Sequence, residues 1–227
     1  MCSSDLNIPF TRDEAILALD VLYSSNELRL NMDSEEITEL SELLNELPII
    51  PLSARGEIFR NKSGIINQLY NFNSSYKKGE KGKHVGWPFY EVADEFDNKK
   101  DELHKIACAI RQNRAFFQTM TFGSKFEEEN FPEGALLGHL HRVLEARDGK
   151  PVIPAERCEI CKLNLAEVYK PVPGGFLQRH LAVPITKLDG NRHYNDLNFI
   201  TVCPNCHAVL HQRRPWVTRN NMGDILA

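Results

Sequence analysis

Apolar residues recur at helical spacing through the first half of the chain. Ile16, Leu17, Leu19 and Leu22 follow Thr11-Arg12-Asp13-Glu14, which has the spacing of a capping box, so a first helix is expected to open at Thr11. Ile37, Leu40, Leu43, Leu44 and Leu47 repeat with helical period after Ser34 and run into Pro48. They predict a second helix, with Glu35, Glu36, Glu39 and Glu42 on its solvated face. Ile65, Ile66, Leu69 and Phe72 give a third, shorter helix, and its outward positions are Lys62, Asn67, Gln68 and Asn71. Val92, Phe96, Leu103, Ile106 and Ile110 predict one continuous helix from Glu91 to about Asn113, and a further helix is expected from Ala135 to Arg147.

The pattern changes after Gly175. Phe176 to Val183 reads as a strand, Pro184 to Leu197 as a long polar loop, and Phe199 to Val202 as a returning strand; Pro204 then opens a helix. The expected fold class is therefore α+β. A mainly helical domain over 1–114 leads through a connector, 115–150, to a strand–loop–strand–helix module over 151–227. Helices one to three suggest a helix-turn-helix or winged-helix unit.

The chain of 227 residues is 42% hydrophobic and 26% charged, ordinary globular material with room for two small domains. Its apolar runs are short of a membrane span, Asp20 interrupting the best of them, and Met1 to Phe10 has no signal-peptide character, so a cytoplasmic protein is expected. The net charge of −4 hides an uneven distribution. Between Arg55 and His84 stand Arg55, Arg60, Lys62, Lys77, Lys78, Lys81 and Lys83 against only Glu57 and Glu80, a stretch suited to phosphate. Asn67, Gln68 and Asn71 beside these cations are side chains that can read base edges of double-stranded DNA, the alternative being a polar helix surface with no partner.

Four of the six cysteines form two Cys-x2-Cys pairs, Cys158 with Cys161 and Cys203 with Cys206. Two thiolates from one tight turn can reach one ion, and two such turns complete a tetrahedral zinc site. Cys108, among Ile106, Ala107 and Ile110, reads as a buried apolar residue. On the helix from Pro204, His207 and His211 are four residues apart, share a face and can jointly hold a second divalent cation while Cys206 turns toward zinc. His139 and His141, two apart on a helix, point different ways and read as surface histidines.

These residues together resemble the HNH family of ββα-metal endonucleases: Cys-x2-Cys, the strand histidine His180 ahead of Pro184, Gly190-x2-His193, Asn198, and Cys203-Pro-Asn-Cys206-His207. The resemblance covers about Cys158 to Trp216 and is greatest to zinc-stapled bacterial restriction enzymes of the McrA type. Phe131-x-Glu-Gly, Arg214-Pro-Trp-x-Thr218 and Phe10-Thr-Arg-Asp-Glu are similar to segments of the same group. The resemblance implies a DNA endonuclease of restriction or phage defence. By position it assigns catalytic roles to His180 as base, Asn198 as orienting residue and His207. It further implies a catalytic Mg2+ or other divalent ion on His207 and His211, and a homodimer on two-fold targets.

One position departs from the family pattern. Counted back from Pro184, the residue of the general base is Leu181, which cannot take a proton, and His180 falls one place earlier. Either a local shift of the strand brings His180 to the base position, or hydrolysis is weakened. In the second case the module is a zinc-stabilised DNA-binding scaffold. A zinc-ribbon protein-interaction module is a third alternative, with less in its favour because it leaves Asn198, His207 and His211 without purpose.

Overall fold

The computed structural model describes residues 8–25, 30–82, 85–120, 133–148, 156–170, 175–187, 196–212 and 217–226. The protein is mixed but mostly helical, with eight α-helices and one two-stranded antiparallel sheet among these residues. The chain divides into two compact units, Met1–Gly123 and Ser124–Ala227. The boundary falls within the stretch 115–150 read as a connector. No helix among the described residues is long and apolar enough to cross a membrane.

Among its described residues the first unit has helices joined by turns and no strand that could serve as a wing. Its centre is α1 (Arg12–Ser24), which packs against α2 (Glu35–Glu46), α3 (Lys62–Tyr76), α4 (Trp87–Glu95) and α5 (Lys100–Gln112); α6 (Arg114–Phe117) follows. The capping box is present on both sides, Thr11 N–H donating to Glu14 at 2.8 Å and Glu14 N–H to the Thr11 hydroxyl at 3.4 Å. Because α1 is surrounded, polar side chains on it are buried too and need partners. Asp20 receives His104 at 2.7 Å and Arg111 at 2.6 Å.

The single helix expected from Glu91 to Asn113 is instead two, α4 and α5, separated by a turn over Phe96–Lys99. Asp97 and Asn98 occupy that turn, where their short side chains compete with helical hydrogen bonding. Lys99 N–H closes the turn on the Phe96 carbonyl at 3.0 Å. Helical periodicity carries across because both helices bury their apolar faces in one core, with Val92, Phe96, Leu103, Ile106 and Ile110 all buried.

The second unit contains α7 (Ala135–Asp148), β1 (Gln178–Leu181), β2 (Phe199–Val202) and α8 (Pro204–Gln212). The strands pair antiparallel with His180 opposite Ile200 and Leu181 opposite Phe199. Both α7 and α8 pack on β1. Ile160, Ala182, Ile200, Val202, Leu210 and Val217 form the apolar core, together with three of the four clustered cysteines. A unit of this size has a small core, which makes a metal staple valuable.

Candidate metal centres

The first centre is the cysteine cluster. Cys158, Cys161, Cys203 and Cys206 bring their sulfur atoms within 4.8 Å of one another. The Cys158–Cys161 turn is closed by Lys162 N–H on the Cys158 carbonyl and Cys158 N–H on the Leu163 carbonyl, both at 3.0 Å. Lys162 adopts a left-handed backbone, φ 63°, which swings the chain back after the second sulfur. The other pair begins α8: Cys203 follows β2 directly, and Cys206 N–H reaches its sulfur at 3.5 Å. The Cys161 and Cys203 sulfurs are 3.7 Å apart, far beyond a disulfide bond. Tetrahedral thiolates about 2.3 Å from zinc stand about 3.8 Å from one another. The cluster therefore fits a metal ion such as zinc.

Burial pushes the Cys161 and Cys206 thiols up from their ordinary value, the neighbouring sulfurs adding to the effect at Cys206. Burial acts on Cys158 in the same sense, but the backbone N–H groups of Cys203, Cys161 and Ile160 outweigh it and bring this thiol down to about 7. A metal ion arriving here displaces protons, so its binding weakens in acid.

The second centre is shared by α7, β1 and α8. Glu145 of α7, His180 of β1, and His207 and His211 of α8 place one donor atom each within 4.8 Å of the others. Strand β1 presents Gln178 and His180 on one face, two residues apart, and α8 presents His207 and His211 one turn apart. One oxygen of Glu145 accepts the Leu181 N–H at 3.0 Å and stands 2.9 Å from His180 Nδ1. Its other oxygen stands 3.3 Å from both His207 Nε2 and His211 Nε2, which are 3.0 Å apart. His207 Nδ1 must donate to Gln178 Oε1, 2.6 Å away, because that oxygen can only accept; the Nε2 lone pair is thus left facing the cluster.

His141 supports this arrangement from behind. Its Nε2 meets the Leu181 carbonyl at 3.1 Å and its Nδ1 lies 3.2 Å from Glu145. The expectation of a surface residue is corrected here, since His141 is fully buried; α7 lies across β1 and buries the face that carries Leu137, His141 and Leu144. Leu181 is buried as well and contributes through its main chain, its N–H holding Glu145 and its carbonyl holding His141.

Burial of Glu145 would raise its pKa, but contacts with His141, His180, His207 and His211 hold it well below the usual carboxylate range. Burial lowers His180 to about 4 against the pull of Glu145, and lowers His211 in the same way. The group is a carboxylate beside two imidazoles, His180 and His211, whose burial disfavours their charged form, the direction that metal binding requires.

Among the expected site residues, the four cysteines come together in one cluster and His180, His207 and His211 in another. Asn198 ends a short 3-10 turn ahead of β2, and its carbonyl accepts the Ala182 N–H at 2.7 Å. His193 lies outside the described residues. Two partners were missed, Glu145 and Gln178. Glu145 carried a readable signal, being four residues after His141 on a helix; Gln178 carried one only in its alternation with His180.

The expected DNA contacts divide. Arg60 is buried, donating to both Glu14 oxygens at 2.6 and 2.9 Å and to the Ile8 and Pro9 carbonyls, so it cannot meet phosphate. Arg55 donates to the carbonyls of Asn45, Leu47 and Ile50, satisfying orphan acceptors at the end of α2. Both arginines thus serve the fold. Asn67, Asn71, Lys77, Lys78 and Lys81 are exposed, Lys62 and Gln68 are half-buried, and Lys83 lies outside the described residues. Asn67 and Asn71 are one turn apart on α3, and Lys77 and Lys78 follow its end, where Gly79 at φ 68° turns the chain away. Lys81 lies over the Trp87 ring at 4.2 Å.

Compared with known proteins, this chain matches no protein-family model, no curated protein and no solved structure.

Proposed function

We infer that the protein is a metal-dependent endonuclease that hydrolyses phosphodiester bonds in duplex DNA, built on an HNH-like strand–strand–helix module. The observation that carries this reading is the convergence of His180, His207 and His211 on a strand–strand–helix unit that a four-cysteine cluster can staple. A divalent ion held there would supply Lewis-acid polarisation of a phosphodiester and neutralise the charge gathering on it. Three imidazoles suit manganese, cobalt, nickel or zinc better than Mg2+, which prefers oxygen donors. Gln178 orients His207 and the Leu181 main chain orients Glu145, so the donor set is held before substrate arrives. Asn67, Asn71, Lys77 and Lys78 are the exposed side chains of α3 and its end that suit DNA.

The reading is tested by incubating plasmid and phage DNA, modified and unmodified, with the purified protein and Mg2+, Mn2+ or Zn2+, beside His180→Ala and His207→Ala. Cutting by the parent that both substitutions abolish supports it. A second reading, a DNA-binding scaffold, is favoured by the buried leucine at the usual base position and by the nearly complete burial of His180. Intact DNA after incubation with a parent protein that still binds DNA overturns the nuclease reading and leaves the scaffold.

A further inference from the structure

We propose that Glu145 is a metal ligand, the fourth protein donor of the His180, His207 and His211 centre, and that it closes this centre around a transition-metal ion. The proposal deepens the metal-centre part of the nuclease reading, but it concerns coordination and stands or falls without cleavage.

The distances carry it. A tetrahedral ion with bonds of about 2.0 Å to nitrogen and oxygen needs its ligand atoms about 3.3 Å from one another. The Oε2 atom of Glu145 and the two Nε2 atoms of α8 form a triangle with edges of 3.3, 3.3 and 3.0 Å. Two imidazole nitrogens this close, one of them left with only a lone pair by the Gln178 bond, are the arrangement a shared cation stabilises. His180 supplies the remaining donor, and the whole set lies within 4.8 Å.

A general-base role for Glu145 fits less well. Its carboxylate is nearly buried, one oxygen is taken by the Leu181 N–H, and it is embraced by four histidines. A base needs an acceptor directed at water and substrate, whereas a ligand needs a charged oxygen directed at the other donors. Four protein donors leave no vacant position on a tetrahedral ion, and Glu145 is the only carboxylate among them.

The full-length protein is loaded with Co2+ at both centres. Thiolate charge-transfer bands in the near ultraviolet report the cysteine site and act as an internal control for folding. The ligand-field bands of the histidine site are then followed on adding azide, for the parent, Glu145→Ala and Glu145→Gln. The expected result is two Co2+ per chain and no azide response in the parent. Glu145→Ala should bind the second ion at least about tenfold more weakly and change its spectrum with azide. Glu145→Gln, which keeps the shape of the side chain, should behave as Glu145→Ala in affinity. An azide-responsive parent, a parent holding one ion only, or Glu145 variants with unchanged second-site affinity overturns the proposal. Failure of DNA cutting alone would touch the nuclease reading and leave Glu145 as ligand.

Discussion

His207 Nδ1 is held 2.6 Å from the side-chain oxygen of Gln178, a neighbour from the adjacent strand. This bond selects the tautomer of His207 that turns a lone pair toward His211 and Glu145. Gln178→Ala should therefore weaken metal binding at the histidine centre by about 10–100-fold, while Gln178→Glu, which keeps an acceptor, should restore it. Competition titration with a chromophoric chelator measures both. Equal affinity in all three proteins would show that the bond does not orient the ring.

Arg60 and Glu14 make a buried pair, with side-chain exposures of 6% and 1%. Removing the cation by Arg60→Met leaves an uncompensated carboxylate in the core and should cost about 3–5 kcal/mol in urea unfolding. Asn67→Ala and Lys77→Ala, on the exposed surface, should stay within about 0.5 kcal/mol. A mild Arg60→Met effect would mean that Glu14 finds another partner or water.

The same surface separates two kinds of DNA contact. If α3 reads bases, Asn67→Ala or Asn71→Ala should relax preference at one position by about 1–3 kcal/mol. Lys77→Ala or Lys78→Ala should weaken all sequences alike and reduce the salt slope by about one. Sequence-selective losses at the lysines would refute a phosphate role.

Acid should destabilise the metal-free second unit. An unfolded histidine protonates near 6.5, whereas buried His180 does so only at about 4, so between these values the unfolded chain binds more protons and stability rises with pH. Glu145, held below its ordinary value, adds in the same direction and loses its contribution as pH falls further. The thermal midpoint of the chelator-treated protein should fall steadily from pH 7 to pH 4. A flat profile across this window would contradict the burial of His180.

Cys161→Ser or Cys206→Ser should remove the cysteine-site ion, loosen the packing of the second unit and lower its thermal midpoint, while the helical first unit keeps its far-ultraviolet signature. Metal content and near-ultraviolet circular dichroism, measured together, check this. Retention of near-native dichroism after metal loss would show that the apolar core suffices without the staple.

Much of the fold follows from local pattern. The spacing of Cys158, Cys161, Cys203 and Cys206, the returning strand at Phe199–Val202, the helix from Pro204 and the shared face of His207 and His211 are all set by neighbours a few residues apart, where geometry is nearly fixed by chain periodicity. The break between α4 and α5 is also local, but period alone hides it, because both helices address one core. Other features depend on segments meeting in space. Arg60 looked like a surface cation until α1 brought Glu14 beside it, 46 residues away. Glu145 entered the histidine centre because α7 packs on β1, bringing it to Leu181 and His207, 36 and 62 residues away. Sequence determined which residues could bind metal and how each segment would coil or extend; tertiary packing decided which charges are buried and which donors converge, since burial and long-range proximity are properties of the assembled core and not of any one segment.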